Sequence, residues 1–310
     1  MRAQLTLTLG AQKRIGKQMD NVNFKMIEKN FFDLKVAIKK GLTNIAVVNA
    51  IRLIFSSSCK YLKQFQRIKL ISGVSGKEYF AFKNGFKISR AINASLYIDN
   101  MDALQLFWEK YDSDSFVEND IDLIQRSIYT IAISFCAAID LGKLGDQKTP
   151  GTFFEYLIGH FFAWRLNVEP QKSIQVLNID NDKTLLPTDY VYNMGVNRPK
   201  FHLPVKTSSR ERAIMMWAHQ KLLDGVYGVD RFIGTPVLLA ETKVDKKALL
   251  VQEICLPDQW RLYQLYISKL RRIYYLDVPD AYKDMKNSYP PLAVEKFAKF
   301  FFEYKELSKY

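Results

Sequence analysis

The sequence predicts an α/β fold: a central mixed β-sheet flanked by helices, preceded by a mainly helical, basic N-terminal region. Three observations predict it. After Gly151 the chain reads helix, several strands, helix, strand, helix, the pattern of a layered α/β domain. Before it, apolar residues recur at three and four spacing through Phe31, Leu34 and Ile38, then through Ile45, Val48, Ile51 and Ile54. Between the two lies residues 141–151, LGKLGDQKTPG, a cluster of chain-breaking residues. The expected division is residues 1–145, a DNA-binding and dimerisation region, and residues 146–310, a catalytic domain.

Taken in order, residues 1–70 read mostly as helix, with lysines opposite the apolar stripes. The alternation in YFAFKNGFKI (79–88) predicts a hairpin turning at Asn84-Gly85. Residues 99–122 hold eight acids against Lys110 alone, and read as a surface helix with a loop; 123–140 read as a buried helix. A helix capped by Thr152 covers Phe153 to Leu166. Strands are expected at 173–179, 184–191 and 201–207, a helix at 212–223, a strand at 235–244 and a helix at 258–273. The tail, 291–307, reads as one amphipathic helix.

Of the 310 residues, 48% are hydrophobic, enough for a real core. The apolar runs fall short of a membrane span, and no leader pattern opens the chain. Three dispersed cysteines and three histidines argue against a structural zinc site and for a reducing, cytoplasmic setting. The net charge is +13, and residues 1–90 hold 18 Lys/Arg against four acids. The remainder is therefore near neutral. Such a basic lobe suits a polyanion, with nucleic acid the default partner. An anionic membrane surface would need an amphipathic anchor that the chain does not display.

The chemistry-bearing stretch is LPTDYVYNMGVNRPKFHLPVKTSSRER (186–212). Asp189 ends one apolar run and Lys206 another, with Asn193, Gly195, Asn197 and Pro199 supplying a turn between them. Each residue alone also reads as an ordinary strand-end charge. Side by side, the carboxylate can hold a divalent metal and the lysine can orient water and stabilise phosphate charge, which suits phosphodiester hydrolysis. All-oxygen ligation favours Mg²⁺. Upstream, Glu155 sits among Phe153, Phe154, Leu157 and Ile158, either as a metal-site acid or as a helix-start charge. Downstream, Arg210, Glu211 and Arg212 carry the groups that read G·C pairs, or form a charged first helical turn. A competing acid-x-lysine pattern, Glu241-Thr242-Lys243 with Asp230 upstream, lacks a following reader. Phosphate loops, nucleophile elbows and HExxH helices are absent.

Lys206 followed at +4 to +6 by Arg210-Glu211-Arg212, with Glu155 34 residues before Asp189 and RIYYLDVPDAY later (272–282), resembles the type II restriction endonucleases of the PD-(D/E)XK superfamily. The resemblance is to the branch that reads CCGG or CCNGG, over residues 150–285. It implies a restriction-endonuclease-like sheet, Mg²⁺-dependent cleavage of double-stranded DNA at a short palindrome, and a homodimer with no small-molecule cofactor beyond the metal. It also implies Asp189, Lys206 and Glu155 as catalytic residues, Asp189 and Glu155 as metal ligands, and 210–212 as base readers. The chain departs from the pattern twice. Pro204 replaces the acid two before the lysine, and the relocated acid expected 13 residues after it is His219, with Gln220 next. Relatives that extrude bases need an aromatic platform, which Tyr79, Phe80, Phe82 or Phe86 would supply unless they are core. Two rival functions remain: a DNA-binding protein that has lost chemistry, and a nuclease of the same fold without sequence specificity.

Overall fold

A computed structural model describes residues 24–179 and 182–309; within them the side chains of 177–179, 182, 183 and Glu211 lie outside the description, as do the basic residues before 24. The N-terminal part opens with helix α1 (24–38) and helix α2 (Ile45–Leu62), the latter capped by the Asn44 side chain accepting from the Ala46 N–H. A small sheet follows: β1 (Gln66–Ser72), β2 (Tyr79–Asn84), β3 (Lys87–Ile88) and β4 (Ile92–Asn93). The expected hairpin forms between β2 and β3, and Gly85 takes the left-handed φ of +60° that its turn requires. Then come α3 (Met101–Asp112), the buried α4 (Ile121–Gly142) and α5 (Lys148–Leu166).

The second half supplies the central sheet. Its strands are β5 (Gln171–Ile179), β6 (Asp182–Tyr192), β7 (Lys200–Leu203), β8 (Val205–Lys206), β9 (Phe232–Gly234) and β10 (Val237–Leu238), with α6 (Ile214–Tyr227) between β8 and β9. Next follow β11 (Thr242–Asp245), β12 (Leu250–Glu253), α7 (Pro257–Tyr266), β13 (Ile273–Tyr275), β14 (Val294–Lys296) and α8 (Phe300–Leu307). β7 runs through Pro204 into β8, and β9 runs through Pro236 into β10. The two rails stay in register: Thr235 N–H donates to His202 O at 2.9 Å and Val237 N–H to Pro204 O at 2.9 Å. The result is one mixed sheet, ordered β5, β6, β7/β8, β9/β10, β13, β14. Pairing is antiparallel at the β5–β6–β7 end and parallel beyond it.

One core runs from Ile27 to Leu307 and includes α2, α4, α5 and α8. β1 also pairs in parallel with β12, so the chain on both sides of residue 145 shares a core and a sheet. Helix α5 lies against the central sheet because Gly159 has no side chain. A Cβ there would stand 2.5 Å from the Tyr190 ring. α2 and the segment containing α4 are long and apolar enough to cross a membrane. Their windows are 56% and 78% buried inside the protein, which fits helices of a packed core.

Several elements differ from expectation. α5 begins at Lys148 rather than after Thr152, because the Asp146 carboxylate caps it through Thr149 N–H (2.9 Å) and Thr149 Oγ1 (2.8 Å). Pro150 then sits in the first turn, where a missing N–H costs nothing. The strand expected over 235–244 splits into β10 and β11, which serve different sheets. α7 stops at Tyr266, and the tail spends 294–296 as the edge strand β14 before turning helical. Residues 66–72, counted with the helices, pair with the hairpin instead.

Candidate active site

The site grows out of the register between β6 and β7. Tyr190 pairs with Leu203 and Val191 with His202, so Asp189 comes opposite Pro204. Proline has no N–H, and the ladder with β6 ends there. The next amide, Val205 N–H, donates to the Asp189 carboxylate (Oδ2) at 2.7 Å. One residue on, Lys206 Nζ donates to the same oxygen at 2.6 Å. The sequence-predicted pair is thus in direct contact, part-buried, with the lysine 34% and the aspartate 22% exposed. Both bonds fall on Oδ2, and among the described residues Oδ1 accepts none.

Asp189 and Lys206 line a cleft of about 200 Å³ together with Thr188, Pro204, Arg212, Met216 and His219. Of the two residues at the relocated-acid position, His219 therefore reaches the cleft. Gln220 turns away: its Nε2 donates to Asp224 Oδ1 and to Phe232 O, both at 2.9 Å. Burial, and then the Lys206 ammonium, hold the His219 imidazole below its usual pKa, with Asp189 opposing them. Behind it lies His202, fully buried, its ring 6.1 Å from that of His219 and its Nε2 3.0 Å from Thr188 Oγ1. Burial pushes His202 down to about 3, so it is neutral at ordinary pH. No local spacing singled out His202, whose interest lies in packing behind the cleft.

Arg210 to Arg212 form a single 3₁₀ turn between β8 and α6. Arg210 holds φ at +41°, a conformation that non-glycine residues adopt only when their surroundings impose it. Glu241 supplies that constraint. Its carboxylate is 1% exposed and accepts from Ser209 N–H (2.7 Å), Ser208 Oγ (2.9 Å) and Tyr275 OH (2.9 Å). The competing Glu241-x-Lys243 pattern is thereby explained: the acid anchors the turn and the lysine is exposed on β11, while Asp230 pairs with Arg271. Arg210 and Arg212 are exposed, and neither forms an ion pair among the described residues. The Glu211 side chain lies outside the described residues.

Two expectations are not met in this geometry. Glu155 lies on α5 with its carboxylate 2.9 Å from Lys172 Nζ, and it is not part of the cleft lining that holds Asp189. It approaches the site only through the buried Tyr190, whose phenol feels both carboxylates. Tyr79, Phe80 and Phe82 are at most 7% exposed and belong to the packed interior, because both faces of β2 are covered, Tyr79 packing into one cluster and Phe80 and Phe82 into another. They cannot stack on an extruded base as they stand. Phe86, at the hairpin tip, is 87% exposed.

As to a metal, no three of the described His, Cys, Asp and Glu side chains converge on one point. The open Oδ1 of Asp189 and the His219 imidazole do share a cleft with a lysine. The one carboxylate oxygen fits a weakly held hard cation that keeps most of its waters and takes phosphate oxygens from a substrate, as Mg²⁺ does, whereas the imidazole is not a donor that Mg²⁺ favours.

A mixed sheet flanked by helices, with an acid and a lysine meeting at neighbouring strand ends, defines the restriction-endonuclease fold. The chain is similar to a solved structure of the type IIP restriction endonuclease Kpn2I. The TM-score is 0.76, covering 90% of this chain and 96% of that one at 22% identity. The sequence matches no family model and no curated protein.

Proposed function

We propose that the protein is a type II restriction endonuclease. It cleaves double-stranded DNA with Mg²⁺ at a short palindromic site with a CCGG- or CCNGG-like core, acts as a homodimer, and works in the cytoplasm. The observation that carries this reading is the 2.6 Å Asp189–Lys206 contact in a cleft edged by Arg212. The fold shared with Kpn2I supports it. So does the reader-like turn immediately after Lys206.

The geometry supports the following roles. When bound, Mg²⁺ supplies charge neutralisation at the scissile phosphate and a more acidic water. Asp189 would hold it through Oδ1, with waters completing its shell; Glu155 would have to leave Lys172 to take part. Lys206 is positioned by Asp189 to orient the attacking water and to offset charge growing on the phosphate. Arg210 and Arg212 enter the major groove and donate to guanine O6 and N7. Glu241 acts through the turn it holds.

One observation favours a second reading, a protein that binds DNA without cutting it: no second acid joins Asp189 among the described residues, and His219 stands where the resemblance implies one. Cleavage by the wild type with Mg²⁺ separates the two, and Lys206→Ala then tests the role of the lysine. An endonuclease variant keeps specific binding in a gel shift and loses cleavage with Mg²⁺. Cleavage at the wild-type rate would remove Lys206 from the mechanism.

A further inference from the structure

A second, larger cleft of about 590 Å³ adjoins the candidate site. Its walls come from three separate parts of the chain: Ser89 to Ala91 with the α4–α5 turn, the loop carrying Thr207 to Arg212, and the β11 segment from Thr242 to Lys246. Arg212 lines both clefts, so they meet at the reader turn. Six cations line the larger one, Arg90, Lys143, Arg210, Arg212, Lys243 and Lys246, against one acid among the described residues, Asp140.

Two of the six are already engaged. Arg90 is clamped by Asp140, Nε to Oδ2 at 2.8 Å, and Lys143 lies 3.1 Å from Asp146. The other four form no ion pair among the described residues. Asp245 forms no ion pair with Lys243 or Lys246: its carboxylate feels the Lys243 charge but is turned onto its own loop, accepting from Lys247 N–H at 2.9 Å. The four unpaired cations are spread over two segments, the reader turn and β11 with the residue after it. They suit a ligand that carries a negative charge at every step along its length.

We infer that this cleft binds the phosphodiester backbone of the duplex flanking the recognised base pairs, with Lys243 and Lys246 as the contacting groups. The inference rests on the DNA-binding part of the function proposed above. It assigns β11 a role that neither the catalytic pair nor the reader turn requires. Because phosphate contacts position the duplex without reading it, the two lysines add affinity without changing the cleavage site.

The test is the full-length Lys243→Ala/Lys246→Ala variant, titrated in EDTA against the duplex sequence that the wild type cuts. Two lengths are used, about 30 and about 12 base pairs, together with a scrambled long duplex. Lys305→Ala/Lys309→Ala, at the C-terminal helix, controls for net charge. The expected result is about a tenfold loss on both long duplexes and a salt slope shallower by about 2. Affinity for the short duplex and the positions of the cuts stay as in the wild type. Long-duplex affinity within about twofold of the wild type, or an equal loss in the control pair, overturns the inference. So does a wild type that binds no duplex. If the wild type binds but never cuts with Mg²⁺, the endonuclease reading falls; a generic duplex replaces the cut site, and the length and salt dependence still decide the role of the lysines.

Discussion

At the residue scale, the account turns on which oxygen each donor takes. Asp189 gives Oδ2 to Val205 N–H and Lys206 Nζ and keeps Oδ1. Lys206→Ala removes the donor that faces the phosphate, so cleavage should fall by about 10²- to 10³-fold with specific binding retained. Arg210→Ala should cost about 1–3 kcal/mol on cognate DNA and clearly less on random DNA, measured by competition titration. Equal losses on both would deny Arg210 a base-reading role. Glu241→Ala strips three donors of their acceptor. Each donor left buried and unsatisfied costs about 1–3 kcal/mol, so a lowered melting temperature and a smaller cognate-to-random affinity ratio are expected together. A variant that melts lower but discriminates normally would leave Glu241 a purely structural residue. Asp189, Lys206 and the 210–212 turn were legible in the sequence because each is announced by local spacing. Glu241 appeared in the sequence only as a competing acid-x-lysine pattern, and its anchoring role was hidden because its partners, Ser209 and Tyr275, lie 32 and 34 residues away. Glu155 was placed at the metal because its apolar neighbours demanded a partner; that partner is Lys172, at the start of β5.

At the scale of elements, the close approach of α5 to β6 is the joint that carries Asp189. Gly159→Ala places a methyl within 2.5 Å of the Tyr190 ring, and overpacking of this kind costs about 1–3 kcal/mol. The melting temperature should drop, and cleavage at low temperature should fall with it as β6 shifts. An unchanged melting temperature would mean that the helix is not held so tightly against the strand. Helices and the hairpin were legible from period and turn residues. β14 and the split of β10 from β11 were not. Three-residue strands carry too few residues to show alternation, and what decides them is pairing with β13 or β12, which is long-range.

At the scale of the whole molecule, two buried neutral histidines tie stability to pH. His160 is fully buried between Leu42 O at 2.7 Å and Tyr111 OH at 2.9 Å, so Nδ1 donates to the carbonyl and Nε2 accepts from the phenol. Burial pushes its pKa from 6.5 down to about 4, and that of His202 to about 3. The unfolded chain therefore binds protons first as pH falls below 6.5, and the folded state loses stability through that window. The melting temperature should fall between pH 6.5 and 4, and less steeply in His160→Gln than in the wild type. Parallel curves for the two proteins would mean that His160 contributes nothing to the acid response. The charge asymmetry was legible in the sequence, whereas the common core was not, because α1 and α2 reach α4, α5 and α8 only through long-range packing.

The central claim is site-specific cleavage, and the most direct measurement is digestion of unmethylated phage DNA by the wild-type protein with Mg²⁺, followed by sequencing of the fragment ends. The account predicts discrete fragments whose ends share one short palindrome rich in G·C. A smear, or intact DNA under conditions where the protein still binds it, would contradict the account.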